Sequence, residues 1–541
     1  MGSSSLNRRE FLRWTGVLAG LGTLSACVPP ASAPMAEEAA PAAAGGITRG
    51  GTLVHSYTSG LGTMDPQLTQ SINHVFYDAV YNGLVRLELE DSETGEFKIV
   101  GSLAESWEQP DAKTIIFNLR QGVKFHDGSD FDAEVAKWNF ERQRDHPKSQ
   151  RKSSLAFIES VDALDSHTLQ ITSAQDNAAL LSTLAFGAAG LVHIGSKTAF
   201  DEMGEEGIAR QGVGTGPFRV KEWVTDDRIV LERNPDYWEM GADDQPLPYL
   251  DEAVLRVIPD PTVSLVDMRA GTLHLMELVL PKDVQTIEAD PDLRVDALPW
   301  AGLNLFLVGY NTKRPPFDDV RVRMAANYGI DREGMAKALG FGAATGHYYP
   351  YYTEGTLGFD PSVERYEYNP DKVTELLTEA GYPDGLDLEL LVIAREPEAT
   401  IGEFAQQMWT AVGIRTELKL LERVAWGELL QSTEDFSATF WRGQLWPSVD
   451  PEFARPVLGC GATSNWSFFC DDEIEAALDE GLTTSDPAER SEIYSRMWRV
   501  VHEKAYVSGG YLIPSFVAYR QEVNGLSYNF QDPYLGNIWL A

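Results

Sequence analysis

Hydroxyl-bearing side chains follow the first strand-like run of the chain, which extends from Thr52 to Tyr57. Tyr57, Thr58 and Ser59 offer hydroxyls, backbone donors and one aromatic ring. Groups of this kind bind polar solutes reversibly when they converge on a cleft. The sequence therefore predicts that these three residues contact a ligand. An ordinary transition from strand to loop is the alternative.

A cluster of tyrosines surrounds Pro350, with Tyr348 and Tyr349 before it and Tyr351 and Tyr352 after it. Exposed aromatic rings stack well against sugars, other rings and peptide planes. We predict that Tyr349 contributes such a face to the ligand. The alternative is that these rings pack their own loop against the protein.

Arg395 follows a strand-like run, Leu386 to Ile393. Its planar guanidinium suits a carboxylate or phosphate, so Arg395 is a candidate ligand-binding residue. A surface ion pair with Glu396 or Glu398 is the alternative.

A second group of candidates lies between Trp441 and Pro451, directly after a strand-like run. Trp446 can supply a stacking face, and Arg442 and Gln444 can supply polar contacts.

Signatures of catalysis and of metal binding are absent from the sequence. It contains no G-x-S-x-G elbow and no H-E-x-x-H helix. The 81 acidic residues make chance carboxylate pairs certain, and the nine histidines are scattered. We therefore expect no enzyme and no cofactor; a secreted hydrolase with an acidic pair and a metal or haem receptor remain as alternatives.

The three cysteines divide into one near the N-terminus and two near the C-terminus. Cys460 and Cys470 are close in sequence, and in an exported protein such a pair most simply forms a disulfide. Zinc binding by this pair is a poor alternative, because neither C-x-x-C nor a nearby histidine is present.

The N-terminus reads as an export signal. Arg8 and Arg9 form a twin-arginine pattern ahead of a short apolar run, Trp14 to Ala26. At ~1.5 Å per residue this run is too short to cross a hydrocarbon core of ~30 Å. Small residues precede Cys27, as in a bacterial lipobox, so we predict a lipid-modified Cys27 that anchors the protein to a membrane. The alternative is that Cys27 is an ordinary thiol beside a standard cleavage site.

The charge of the chain excludes one class of partner. Lys and Arg total 44 and Asp and Glu total 81, which gives a net charge of -37. Such a surface repels phosphate backbones, so we expect no nucleic acid partner. No segment after the signal is long and apolar enough to span a membrane.

Strand and helix patterns alternate through the second half of the chain. Helical patterns extend from Asp319 to Ala338 and from Asn369 to Ala380, and strand patterns from Leu386 to Ile393 and from Arg415 to Leu420. This alternation predicts an α/β lobe with a mainly parallel sheet. A chain of this length is too long for one core, so we expect at least two lobes.

Long signatures give the chain a resemblance to a known family. The segment LAESWEQPDAKTIIFNLRQGVKFHDGSDFDAEVAKWNFER contains the turn Phe125 to Gly128, and GTGPFRVKEWVTDDRIVLERNPDYW begins at Gly214. VGYNTKRPPFDDVRVRMAANYGIDRE and TSDPAERSEIYSRMWRVVHEKAY follow in the same order. Together they resemble the extracellular solute-binding proteins that include the dipeptide-, oligopeptide- and nickel-binding components of ABC importers.

The resemblance implies a two-lobed α/β clamp of the large peptide-binding type, in which the C-terminal strands complete the first lobe and a small domain is inserted early. The predicted parts are the signal (1–26), a flexible linker (27–49), the first lobe (50–74, 209–302 and 509–541), the inserted domain (75–208) and the second lobe (303–508).

The resemblance also implies a monomeric lipoprotein, exported to the periplasm or the outer face of the cytoplasmic membrane. It would capture a solute, peptide by class, and deliver it to the transmembrane subunits of an ABC permease. The family keeps a structural Asp-Pro where this sequence has Asp450-Pro451, which implies a turn role for Asp450 rather than a ligand contact. In peptide-binding relatives, an aspartate in this segment pairs with the peptide ammonium. In this sequence Pro447 occupies that position, and Gln444 the position of the family tryptophan. Proline cannot neutralise an ammonium, so an oligosaccharide, a glycoside or an opine-like acid remains open as the ligand. Arg395 lies near the family arginine that binds a ligand carboxylate.

Overall fold

The computed structural model describes residues 46–68, 74–91, 95–149, 152, 155–186, 192–298, 305–432, 436–443, 450–462, 464–529 and 532–541. Residues Ile47–Ala541 form one compact unit. The predicted signal and lipid-modified Cys27 lie outside the described residues, as does the linker up to residue 45.

The strands, in chain order, are β1 (Thr52–Tyr57), β2 (Val85–Asp91), β3 (Glu96–Gly101), β4 (Ala104–Glu108), β5 (Thr114–Leu119), β6 (Ile158–Asp165), β7 (Thr168–Ser173), β8 (Phe218–Val224), β9 (Arg228–Arg233), β10 (Glu252–Val257), β11 (Leu275–Met276), β12 (Leu293–Leu298), β13 (Leu305–Tyr310), β14 (Thr345–Gly346), β15 (Leu386–Ile393), β16 (Ile414–Leu421), β17 (Ala438–Gly443), β18 (Val507–Leu512), β19 (Ser515–Arg520), β20 (Val523–Asn524), β21 (Tyr528–Asn529), β22 (Asp532–Pro533) and β23 (Trp539–Leu540).

The α-helices are α1 (His74–Val80), α2 (Ala133–Asp145), α3 (Leu180–Phe186), α4 (Lys197–Ile208), α5 (Pro261–Arg269), α6 (Val284–Glu288), α7 (Val320–Tyr328), α8 (Arg332–Leu339), α9 (Pro370–Glu379), α10 (Glu398–Ala411), α11 (Arg423–Ser432), α12 (Arg455–Leu458), α13 (Asp472–Thr483) and α14 (Pro487–Glu503). Within the described residues, no helix combines the length and the apolar character needed to cross a bilayer.

The first lobe is built on a seven-stranded sheet in the order β12-β19-β11-β1-β10-β9-β8. Strand β1 runs parallel to its neighbours β10 and β11, and Ser56 lies opposite Met276 in the register. The residues that follow β1 and β11 therefore emerge side by side at one edge of the sheet.

The second lobe is built on a six-stranded sheet in the order β14-β18-β13-β17-β15-β16. Strand β15 runs parallel to β16 and β17. Apolar side chains on the two faces of this sheet form two separate cores, one around Trp409 of α10 and one around Trp498 of α14. The carboxyl ends of β15 and β17 share one edge, so Arg395 and Arg442 belong to the same end of the lobe.

The inserted segment contains a four-stranded antiparallel sheet in the order β4-β5-β7-β6. Its turn at Phe125 to Gly128 is joined to the GTGPF segment by His126. The backbone N–H of His126 donates to the Gly214 carbonyl over 2.9 Å, and its ring Nε2 lies 3.0 Å from the Gly216 carbonyl oxygen. Burial lowers the pKa of His126 to about 4, so the ring is neutral and serves as a structural link.

Two sequence-based bounds are corrected by the structure. The helix predicted from Asp319 to Ala338 is two helices, α7 and α8, because the chain turns at Gly329 and Asp331 caps the second helix by accepting from the Gly334 N–H over 2.9 Å. The boundary predicted at residue 509 falls inside β18, which belongs to the second sheet; the chain re-enters the first sheet with β19.

The predicted disulfide is confirmed: Cys460 and Cys470 are bonded, with their Cα atoms 4.6 Å apart. The loop that it closes is tied to the second lobe, because the Ser467 hydroxyl donates to the Tyr506 carbonyl over 3.0 Å.

Candidate ligand-binding site

The carboxyl end of β1 presents Thr58 to Glu277, which directly follows β11. The Thr58 backbone N–H and hydroxyl both donate to Glu277 Oε1, over 3.3 and 3.1 Å. Burial raises the pKa of the Glu277 carboxyl, and the two Thr58 hydrogen bonds oppose that rise. The sheet edge therefore carries a carboxylate that is held in place and partly withdrawn from water.

The neighbours of Thr58 differ in exposure. Ser59 is exposed, so its hydroxyl is available to a solute. The Tyr57 ring is 5% exposed, and its buried hydroxyl has no hydrogen-bond partner within the described part of the chain. Burial raises the pKa of Tyr57 far above its usual range, and the nearby charge of Glu277 adds to the rise.

At the matching edge of the second lobe, Arg395 lies beyond β15 and contacts the first residue of α10. Its guanidinium donates to Glu398 Oε1 over 2.7 Å. The arginine side chain is 47% exposed, whereas that of Glu398 is 2% exposed. This is the ion pair that the sequence left open as the alternative for Arg395, yet the exposed guanidinium still has unused donors for an anion.

Arg442 lies near the end of β17, opposite Phe306 of β13 in the register. Tyr511 of β18 stacks on Phe306 with ring centroids 6.1 Å apart. Burial raises the pKa of Tyr511 to about 12, with Arg442 lowering it and Glu398 raising it. Arg442 and Glu398 therefore both lie within electrostatic range of one buried phenol, at the same end of the lobe as Arg395.

The predicted contact at Tyr349 is placed differently by the structure. Its ring is 5% exposed and packs against Tyr352, Phe359 and His502 at centroid distances of 5.1, 5.5 and 5.6 Å. Its hydroxyl donates to the Val363 carbonyl over 3.4 Å. This packing supports the alternative reading of the tyrosine cluster, in which the rings hold their own loop down.

Two further candidates, Gln444 and Trp446, lie outside the described residues, so their roles stay predictions. Asp450 lies in a turn, as predicted, and accepts a hydrogen bond from the Glu452 N–H over 3.1 Å. It also forms an ion pair with Arg490 over 2.7 Å, in which both side chains are largely buried.

Sequence reasoning missed Glu277 as a site residue and named Glu398 only as a partner of Arg395. Glu277 follows a strand of only two residues, Leu275–Met276, which is too short to show an alternating pattern. Glu398 is the first residue of α10, and no pattern in the sequence predicts that its side chain is buried. Within the described ranges, no group of three or more His, Cys, Asp or Glu side chains could hold a metal ion.

This arrangement can bind a solute by charge and hydrogen bonding. The edge of the first lobe offers a carboxylate and two hydroxyls, and the edge of the second offers guanidiniums. Ligands of open α/β sheets bind outside the carboxyl ends of the strands, where these groups lie.

Comparison with known proteins shows similarity to one family of solute-binding proteins. Residues 98–465 match the family described as bacterial extracellular solute-binding proteins, family 5 Middle. Heme-binding protein A of Haemophilus influenzae is 29% identical over 458 residues, which cover 79% of this chain and 80% of that protein. The dipeptide-binding protein of Escherichia coli K12 is 28% identical over 493 residues, which cover 84% and 88%. The structure of the periplasmic binding protein DppA from Helicobacter pylori, in complex with the peptide STSA, superposes with a TM-score of 0.72 at 26% identity, covering 91% of this chain and 98% of that one.

Proposed function

The chain belongs to family 5 of the bacterial extracellular solute-binding proteins, and from that premise we propose that it captures a peptide-class solute and delivers it to the permease of an ABC importer. The observation that carries the proposal is the placement of charged and hydroxyl side chains at the carboxyl ends of parallel strands in both lobes. Thr58 and Glu277 occupy this position in the first lobe, and Arg395 and Arg442 in the second.

Binding and release need no covalent step in this account. A ligand stabilises a closed arrangement of the lobes only by binding it more tightly than the open one. Groups on both lobes give it that difference, because only a closed protein lets one ligand contact both sets at once.

An opine-like acid is the second candidate ligand. It is favoured by the two guanidiniums of the second lobe and by Pro447, which leaves the position of the family aspartate without a carboxylate. The shared requirement of both candidates is an anionic group for Arg395 and Arg442.

The proposal is tested with the chain that lacks residues 1–27, refolded to remove carried-over ligand. Thermal shift is measured with di- to pentapeptides, oligosaccharides, sugar phosphates and opines. Ligand at 100 times its Kd adds ~2.7 kcal/mol to the free energy of unfolding, which is a visible shift. Shifts with peptides support the peptide class, shifts with opines alone support the second candidate, and no shift with any anionic ligand contradicts both.

We also propose that Cys27 carries the lipid that anchors the mature protein. Bacteria expressing the full chain are labelled with a fatty acid analogue, and the Cys27→Ala variant serves as the control. Label on the parent chain and none on C27A supports the anchor; equal label on both contradicts it.

A further inference from the structure

Glu277 is a carboxyl group for which the described part of the chain supplies no counter-ion. Among the described residues, Thr58 alone donates hydrogen bonds to it, both to Oε1. No Lys or Arg of the described chain pairs with it, and its pKa reflects burial and Thr58 alone. Withdrawing a carboxylate from water is costly unless a cation compensates, and the raised pKa of Glu277 reflects that cost, so a cationic partner would stabilise the ionised form.

The groups beside Glu277 do not supply a cation either. His55 Nδ1 lies 3.1 Å from the Leu275 carbonyl oxygen, so Nδ1 carries the proton and Nε2 is left as a buried acceptor with no partner in the described chain. Burial lowers the pKa of His55 to about 4, which keeps the ring neutral. The buried, unpartnered Tyr57 hydroxyl lies close enough to Glu277 for that charge to raise its pKa. The end of β1 thus combines a carboxylate, a phenol and a neutral imidazole.

We propose that Glu277 binds a cationic group of the ligand, an ammonium or substituted amine, at the edge of the first lobe. The proposal rests on the proposed function and specifies its ligand: the cation binds the first lobe, and the anionic group binds Arg395 and Arg442 of the second. A zwitterion of this kind would contribute one ion pair to each lobe. Glu277 would also supply the carboxylate that is missing at Pro447, from the opposite lobe.

The competing explanation is that Glu277 only fixes the turn after β1. A carboxamide performs that task equally well, because the Gln side chain keeps an oxygen that accepts from Thr58. The two explanations therefore predict opposite responses to Glu277→Gln. A turn residue tolerates the change without altered binding, whereas a cation-binding residue loses ligand.

The experiment compares the wild-type chain lacking residues 1–27, E277Q and the control E288Q. Glu288 is an exposed residue at the end of α6 in the same lobe, so E288Q makes the same change of charge on the surface. The probes are mixed di- to pentapeptides of Ala, Leu, Ser and Phe with free amino termini, and the same peptides N-acetylated. Thermal shift and titration calorimetry are measured at pH 7.5 after refolding.

We expect the free peptides to bind the wild type and E288Q with equal affinity, and E277Q about 30-fold more weakly. Removing the charge of one partner in a desolvated ion pair lowers affinity by about this factor. The N-acetylated peptides should bind the wild type about as weakly as the free peptides bind E277Q. Without ligand, E277Q should melt about 1–2 °C above the wild type, since an uncompensated charge has been removed.

Equal binding of free peptides to wild type and E277Q overturns the role of Glu277 and leaves the proposed function standing. Equal binding of free and acetylated peptides to the wild type also overturns the role of Glu277. If neither peptide mixture binds the wild type, the proposal of a peptide ligand fails. The role of Glu277 is then tested by comparing the ligand-free proteins. A higher Tm for E277Q than for the wild type supports an uncompensated charge at Glu277, and a lower Tm contradicts it.

Discussion

Arg395 combines an internal contact with an exposed surface. Its partner Glu398 is almost fully buried, and Glu398 Oε2 has no hydrogen-bond partner within the described residues. Arg395 therefore limits the cost of a buried carboxylate, whether or not it also binds an anion. Stability and ligand affinity must be measured separately to distinguish the two effects.

Replacing Arg395 by alanine should destabilise the protein by about 1–2 kcal/mol, because Glu398 loses its only described cation while half of the arginine was already in water. The double variant R395A/E398Q should recover most of that loss in urea unfolding. If Arg395 also binds ligand, R395A/E398Q will still bind more weakly than E398Q alone.

The control is Arg415→Ala, which breaks an exposed pair with Asp387 on the same lobe. It should cost less than about 0.5 kcal/mol and leave affinity unchanged. Equal affinity of R395A/E398Q and E398Q would assign Arg395 to the internal contact alone.

Tyr349 should respond as a packing residue. Tyr349→Phe keeps the ring contacts and removes one long hydrogen bond, so we expect a loss of about 1 kcal/mol or less and unchanged ligand affinity. Tyr349→Leu disrupts the ring cluster and should cost more. Calorimetric titration of Y349F with the best ligand from the thermal screen checks this; a tenfold loss of affinity would restore Tyr349 to the binding site.

The residue scale shows what sequence patterns can and cannot predict. They made Arg395 and Thr58 candidates because both follow recognisable strands. They did not identify Glu277, because its place beside Thr58 depends on β11 pairing with β1 across more than 200 positions of the chain. Burial of Tyr349 depends likewise on helices that come much later in the sequence.

At the scale of elements, the GTGPF segment shows why its glycines are needed. A Cβ atom on Gly216 would lie 2.5 Å from the Ala79 carbonyl oxygen and 2.5 Å from the Val80 carbonyl carbon at the end of α1. The Gly216 N–H donates to the Val80 carbonyl over 2.9 Å, so the two backbones must touch. This contact packs the GTGPF segment directly against the end of α1.

Gly216→Ala should therefore destabilise the protein by about 3 kcal/mol or more, since backbone rather than a flexible side chain blocks the new methyl group. Gly427→Ala in α11 is the matched control, because no atom lies within 4 Å of the added Cβ. It should be neutral or stabilising by up to about 1 kcal/mol. Equal urea midpoints for the two variants would contradict the close approach.

Helices and strands whose own sequence carries a clear pattern have the bounds that the sequence predicts. Strand β15 has the bounds that its apolar run predicts, and α9 ends where Gly381 adopts a φ of 94°. The error at α7 and α8 arose because a continuous apolar pattern hides a turn when helices on both sides face the same core. The lobe boundary predicted at residue 509 fell inside β18 because strand pairing decides which sheet a strand joins, and the sequence of the strand itself does not show its partners.

At the scale of the whole molecule, four buried histidines make stability depend on pH. Burial lowers the pKa of His55, His126, His347 and His502 to about 4. The unfolded chain takes up these protons near pH 6.5 and the folded protein does not, so stability is complete above pH 6.5 and falls as the pH drops towards 4. Glu452, whose pKa burial raises to about 7, acts in the opposite direction.

Acidification from pH 6.5 to 5 should cost up to about 2 kcal/mol per buried histidine. His502→Gln keeps a donor for the Glu364 carbonyl, which His502 Nε2 contacts at 2.7 Å, and should lose less on acidification than the wild type. His167→Gln, in the turn between β6 and β7, is the control. Urea unfolding at both pH values checks the slope; an unchanged slope in H502Q would contradict the prediction.

The position of β19 has a consequence for how the protein matures. This strand, close to the C-terminus, lies between β11 and β12, and β12 pairs with no other strand of that sheet in the described chain. A chain that is synthesised from its N-terminus can assemble the second sheet from a continuous stretch, residues 305–512, while the first waits for its last strand. Until β19 emerges, β11 and β12 present open edges to the surrounding solution, and such edges invite pairing with other chains. The nascent protein is therefore most exposed to aggregation just before its synthesis is complete.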